Sequence, residues 1–575
     1  MPCRGQARSP GRPGGGSHIR YTACLEQRDA AHLNRMSQSN RLIAALCCSA
    51  LLSQAGCARR ETPAEAGIRT QTLLVGNGAE PADLDPQAIM VNTDVNIAYC
   101  LFEGLTKLDA KTCVPAPALA SSWDVSSDGK VYTFHLRQSA RWSDGDPVTA
   151  DDFVYSFHRI LSPAFAAGYS YMLWPIRNAE AFNAGRLSDF SQVGAKALDS
   201  HTLQVTLERP TPYLPALASH NTWLPVHRAN IEKFGRMDEK GTKWTRAGNL
   251  VGNGAFVLEE WVPNARIVVT KNPAYWDAVH TRLNRIEFYP FEKPEVEDLN
   301  YRSGQLHATY SLPMSRIPTY REHRPSDLGV DNVLATYYLF FNVARPPFDN
   351  VKLRLALAHA VDRKALSRNV TKGAYPPSYC LTAPNCGGYT CRSGITDDFD
   401  LARRLLAEAG YPGGKGLPIL EIQCSESEVP IRVVEAIQAM WLKELGVRVS
   451  ITQLEVKTLY ANQQSKNYSI GYSGWIADFA DPETFLSTMV TGGGNNFAGW
   501  SNRDFDALVS AADATVDNKR RFECFQKAEA ILLSETPLVP LFNQPQVYAI
   551  SPAVHGWTTN LIGFHEFNKM WLEND

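Results

Sequence analysis

Leu119-Ala-Ser-Ser-Trp123-Asp-Val-Ser-Ser-Asp128-Gly129-Lys-Val-Tyr132-Thr-Phe134-His-Leu136-Arg137 is the stretch on which the reading of this chain turns. It runs on into Trp142-Ser-Asp144-Gly145-Asp-Pro147-Val148-Thr149-Ala150-Asp151-Asp152-Phe153-Val-Tyr155-Ser156. Residues 131–136 alternate faces, the period of a half-buried strand, and Ser126-Ser-Asp-Gly129 supplies the turn before it. Outward from here, 201–207 and 265–270 alternate in the same way, and a strand is expected to open the ordered chain at 71–76.

Helices dominate further on. Asp349-Asn350 can cap a helix expected over 351–366, where apolar residues recur every three or four positions. Asp400 and Gly410 bracket a second at 401–409. A third, 429–445, ends at Gly446 and leads into a strand at 447–452, and a fourth covers 519–533. Helix, glycine, strand is the rhythm of an α/β domain, so a mixed α/β protein of more than one lobe is expected.

The chain has 575 residues, 44% hydrophobic and 20% charged, with a formal net charge of −2. That composition is ordinary for a soluble protein, and it argues against a nucleic-acid partner, which would need a basic face. No repeat of 20–50 residues is visible, which excludes solenoids. Residues 1–35 lack apolar runs and are read as an extension outside the functional chain, with translation expected from Met36. Arg41 and the apolar run 42–52 have the form of a secretory signal, too short to span a bilayer. Small residues before Cys57 resemble a lipobox, with Gln54 where Leu is usual, so Cys57 is expected to be acylated. Cleavage near Ala55 or Ala58 without acylation is the other outcome. Residues 58–70 read as a tether.

Beyond the leader stand Cys100, Cys113, Cys380, Cys386, Cys391, Cys424 and Cys524. An exported chain meets conditions where disulfides persist, and the 380–391 loop suits a local staple. Its spacings of six and five are not those of zinc sites.

No strong catalytic motif appears. There is no His-Glu-x-x-His, Gly413-Gly-Lys415 is not a P-loop, neither Gly76-Asn-Gly78 nor Gly252-Asn-Gly254 completes a dinucleotide fingerprint, and Gly471-Tyr-Ser-Gly474 is not a nucleophile elbow. No catalytic residue, cofactor or metal is expected. Aromatic clusters stand out instead: Tyr169-Ser-Tyr171-Met-Leu-Trp174 and Tyr472-Ser-Gly-Trp475, the latter running on to Asp478 and Asp481. Core packing accounts for such clusters as well as a pocket does, and an Asp before Pro482 also suits a turn.

The opening stretch, together with Leu84-Asp-Pro86, Phe102-Glu-Gly-Leu105, Gly252-Asn-Gly-Ala-Phe256, Asn272-Pro-Ala-Tyr-Trp276, Tyr301-Arg-Ser-Gly304 and Leu355–Arg363, resembles the family-5 extracellular solute-binding proteins, the oligopeptide and dipeptide binders of ABC importers. The resemblance covers about residues 70 to 575. It implies the two-lobed periplasmic-binding-protein fold (class II, cluster C) with an extra inserted domain and hinge closure around ligand. Domain I would be 71–102, 228–311 and 547–575, the inserted domain II 103–227, and domain III 312–546. It also implies a monomeric periplasmic protein that holds an extended oligopeptide by β-augmentation and serves a membrane permease with its ATPase subunits.

Carried over residue by residue, Asp478 would pair with the ligand α-ammonium, Gly474 and Ile476 would offer backbone groups, Trp475 would line a pocket, and Tyr169 and Tyr310 would contact ligand. The positions where basic residues meet the ligand carboxylate hold Gln463, Tyr472 and Pro430 here, and the strand positions near Met90 and Asn92 also differ. Three other readings stay open: the same fold with a nickel chelate, haem, sugar or opine; an exported peptide hydrolase; and a holdase using the same groove.

Overall fold

Three sheets of four or five strands organise the chain, beside smaller two-stranded ones, in a computed structural model that describes residues 60–559 and 561–574. Residues 62–575 pack as one unit, and all three sheets belong to it. The first sheet has the order Thr72–Gly76, Arg285–Tyr289, Arg266–Lys271, Phe256–Val262, with only the first pair parallel. The second is antiparallel, in the order Ala120–Val125, Val131–Leu136, Thr202–Thr206, Ala195–Asp199. The third has five strands, Val449–Leu454, Leu420–Ser425, Ile470–Ile476, Ala335–Phe341 and Leu538–Asn543, of which the first three run parallel.

The opening stretch builds the second sheet and the helix beside it. Gly129 sits at φ 68°, the left-handed conformation that closes the turn between the first two strands, and its N–H donates to the Ser126 carbonyl. Along Val131–Leu136, Tyr132, Phe134 and Leu136 are buried while their neighbours are partly exposed. Thr149 and Asp152 then form a capping box for the helix Ala150–Leu161. Phe153 and Phe157, one turn apart, point into the core. Arg137 lays its guanidinium 3.9 Å over the Trp276 ring and so ties this sheet to the first.

Two chain segments connect the first and third sheets. The Ala308 segment bridges Val75 on one side and Ile550 on the other. The His307 N–H donates to the Leu74 carbonyl, and the Thr309 and Leu312 N–H groups donate to Ala549 and Val547. Glu297 lies buried beneath this crossover and accepts the N–H groups of Tyr310 and Ser311. Burial pushes its carboxyl up to about 8.

Several elements differ from expectation. The helix expected over 351–366 stops at His359. Asp362 caps a fresh turn by accepting the Ala365 N–H, and Arg363 turns inward to donate to the Pro540 carbonyl and Asp397. A π-helical turn, Leu366–Val370, follows. The segment expected to be a tether contains the helix Pro63–Thr70, started by a Thr62–Glu65 capping box with Pro63 at its first position. Its Ala64 N–H donates to the Gly304 carbonyl. The third predicted helix is observed at Glu428–Leu445, closed by Gly446 at φ 68°, and its strand starts two residues later than expected. The seven described cysteines are thiols, without a disulfide. The leader and Cys57 lie outside the described residues. Among the described residues no helix is long and apolar enough to cross a membrane.

Candidate ligand-binding site

The strand Ile470–Ile476 lies between Leu420–Ser425 and Ala335–Phe341. Leu420–Ser425 leaves it early, because their register covers only Ile470 and Gly471. Ala335–Phe341 stays paired to the end, with Tyr337 opposite Gly474, Thr336 opposite Trp475 and Ala335 opposite Ile476. From Gly474 to Ile476 the strand therefore has a sheet partner on one edge only, which leaves backbone groups unclaimed on the other. Gly474 is required by packing. A Cβ there would stand 2.7 Å from the Tyr337 ring, closer than carbon atoms approach.

Past the strand the chain is held by short bonds. The Ala477 N–H donates to the Leu334 carbonyl at 2.8 Å. The Thr484 hydroxyl oxygen accepts from both the Asp478 N–H and the Trp475 indole, at 3.2 and 3.3 Å. Asp481 is buried against Arg521. The Asp478 carboxyl itself accepts no hydrogen bond and pairs with no cation among the described residues. Burial alone pushes it up to about 7.

Asp478 looks into a cavity of about 430 Å³ lined from five parts of the chain. Gly474–Asp478 and Tyr460 come from the third sheet and its helices, and Tyr310 from the crossover. Tyr169, His220 and Asn221 come from beside the second sheet. Ile89–Asn92 and Val95 come from the chain after the first strand, with Ile562 and Phe564 from the C-terminal region. All six residues expected to contact ligand thus line one cavity. Tyr169 stacks on Tyr171 at 5.5 Å and lies 5.8 Å from His220. Burial pushes His220 down to about 4, so it is neutral at neutral pH. The Tyr310 ring rests against Gly78, where a Cβ would come within 2.8 Å.

The wall is apolar and partly open: Met90 is 55% exposed, Val91 54% and Ile476 40%. No Lys or Arg is among the lining residues, and Asp478 is their only carboxylate. Of the positions where departures were expected, Met90 and Asn92 face the cavity. Gln463 is instead buried and donates to the Tyr472 carbonyl, while Tyr472 lies in the core against Tyr337, and neither they nor Pro430 line it. Tyr460, His220, Val91 and Phe564 carry no sequence signal beyond residue type, and separate segments bring them together.

A family model described as bacterial extracellular solute-binding proteins, family 5, matches residues 114–497. The chain belongs to this family. Among its curated relatives, the periplasmic oligopeptide-binding protein OppA of Salmonella typhimurium is 35% identical over 532 residues, which cover 90% of this chain and 95% of that one. The probable deoxycholate-binding periplasmic protein YgiS of Escherichia coli is 33% identical, covering 88% and 94%. The structure of Haemophilus influenzae OppA in complex with the peptide RPPGFSPFR superposes with a TM-score of 0.75 at 30% identity, over 88% of this chain and 99% of that one. The two-lobed α/β binding-protein fold follows from this likeness.

Proposed function

We propose that this chain is the exported solute-binding component of an ABC importer and takes an oligopeptide, in extended form, between its two lobes. Asp478 pairs with the peptide α-ammonium, the free edge at Gly474 and Ile476 pairs with its backbone, and Trp475, Tyr169 and Tyr310 line its side chains. The loaded, monomeric protein passes the peptide to a membrane permease with its ATPase subunits, without catalysis or cofactor. The lobes correspond to 71–102, 228–311 and 547–575 with 103–227 inserted, facing 312–546. Residues 36–57 direct export to the periplasm, and Cys57 is the acylated anchor.

One observation carries this reading: a half-buried carboxylate without a partner among the described residues, beside an unpaired strand edge, in a cavity with largely apolar walls. A partly desolvated charge without a partner is costly, and a ligand ammonium supplies that partner. An extended peptide also satisfies the free backbone groups. The names of the Salmonella and Haemophilus relatives agree with this ligand class. Titration calorimetry tests it. Asp478→Ala is expected to weaken binding of a free tripeptide more than tenfold with an unchanged circular-dichroism spectrum, and N-acetylation of the peptide to do the same to the unaltered protein. Unchanged affinity in both would remove Asp478 from the site. Peptides recovered intact after incubation with a mixed pool are the second expectation, and cleavage products would turn the reading to a hydrolase.

A further inference from the structure

The loop 380–391 lies directly behind the Asp478 segment. Its tip is Gly387, at φ 57°, packed so tightly that a Cβ would stand 2.6 Å from the Ala480 carbonyl oxygen. Its base is closed by the Ile395 N–H, which donates to the Tyr379 carbonyl and brings the two arms together. Glu529, fully buried, holds both arms: one oxygen accepts the Thr382 N–H and the other the Tyr389 hydroxyl, each at 2.8 Å. At this closure Cys380 and Cys391 face each other. Their sulfurs and a Glu529 oxygen all lie within 4.8 Å of one another. Each thiol is directed at a backbone carbonyl of its own arm, Thr382 and Ser393. Cys386 is buried and stands outside this cluster.

We propose that in the exported protein Cys380 and Cys391 are joined by a disulfide that staples this loop behind the binding segment, with Cys386 left as a thiol. Rotation about the two Cα–Cβ bonds moves sulfurs from the carbonyls toward each other, and the arms are already paired at the base. As the S–S bond forms, the two thiols give up two protons and two electrons. A disulfide-bearing oxidant of the envelope takes them and leaves as a dithiol. A metal ion is the competing occupant. Both Glu529 oxygens are already bonded, however, and the cluster offers three donors where a structural zinc takes four.

The test is a map of the protein isolated from cell envelopes, alkylated while denatured and unreduced, and cut with chymotrypsin. Cleavage after Leu381 and Tyr389 separates Cys386 from its two neighbours. The expected product is the Cys380 fragment joined to the Cys391 fragment, two hydrogens lighter than their sum, with Cys386 alkylated. Alkylation of both Cys380 and Cys391, a bridge through Cys386, or a native mass spectrum showing bound zinc would overturn the proposal. A thiol reductant is further expected to lower the melting temperature of the unaltered protein by on the order of 3 °C and to leave a Cys380→Ser/Cys391→Ser variant unmoved. Equal shifts in the two would also overturn it.

Discussion

Arg521 grips Asp481 through both terminal nitrogens, at 2.5 and 2.6 Å, three residues beyond the carboxylate that faces the cavity. The pair is buried on both sides. Removing one member strands the other without water, a loss of about 3–5 kcal/mol for buried pairs. Arg521→Met is therefore expected to destabilise the protein by roughly that amount in urea unfolding. Asp481→Asn combined with Arg521→Met is expected to recover part of the loss, measured as a double-mutant cycle.

Ligand affinity should depend on pH through Asp478. Its carboxyl titrates near 7 in the empty cavity, well above the usual carboxylate range. An ammonium pairs with the ionised form, so affinity for a free peptide is expected to be greatest between pH 7 and the peptide amine's own pKa of about 8, and to fall below pH 7, approaching tenfold per pH unit. The sign for stability is opposite. The folded state binds the proton more tightly than the unfolded state, so the empty protein gains stability as pH falls from about 7 toward 4. Calorimetry at pH 5.5, 6.5 and 7.5 reads the first effect, and Asp478→Asn should abolish the slope. The same variant should be more stable than the parent at pH 8, by more than about 1 kcal/mol.

Gly474→Ala places a methyl group 2.7 Å from the Tyr337 ring. The ring is packed against Phe542 at 5.8 Å and has little room to yield. Overpacking of this kind costs about 1–3 kcal/mol. Because the displaced backbone is the free edge itself, peptide affinity is expected to fall along with the melting temperature. Ser473→Ala, one residue earlier, is expected to change neither.

Among the described residues the cavity lining offers no fixed cation to the far end of a short ligand. With no Lys or Arg lining the cavity, amidating the C-terminus of a tripeptide is expected to change its dissociation constant by less than about threefold. Acetylating the other end should cost far more. Calorimetry on the two blocked peptides separates these effects.

Strand alternation at 131–136 and its turn are legible in the sequence because local periodicity and a left-handed glycine act within a few residues. The family resemblance of its Gly-Trp setting also singles out Asp478, which the structure places in the cavity wall. The helix break at His359 is not legible. The apolar spacing continues through it, and the break depends on Arg363 reaching Pro540, 177 positions away. The helix at Pro63 is hidden for another reason: its Pro and Thr suit a loop equally well, although together with Glu65 they form a start signal. Tyr460, His220 and Phe564 cannot be placed beside Asp478 from sequence, because that neighbourhood exists only once distant segments pack together.

The half-paired strand also bears on aggregation. On an open surface, a row of unclaimed amide groups recruits other folded chains edge to edge, and polymers follow. Here the row borders a cavity of about 430 Å³ rather than an open surface. Set there, the edge is expected to be shielded from the sheets of other folded chains, which keeps a feature that invites aggregation from acting on its neighbours.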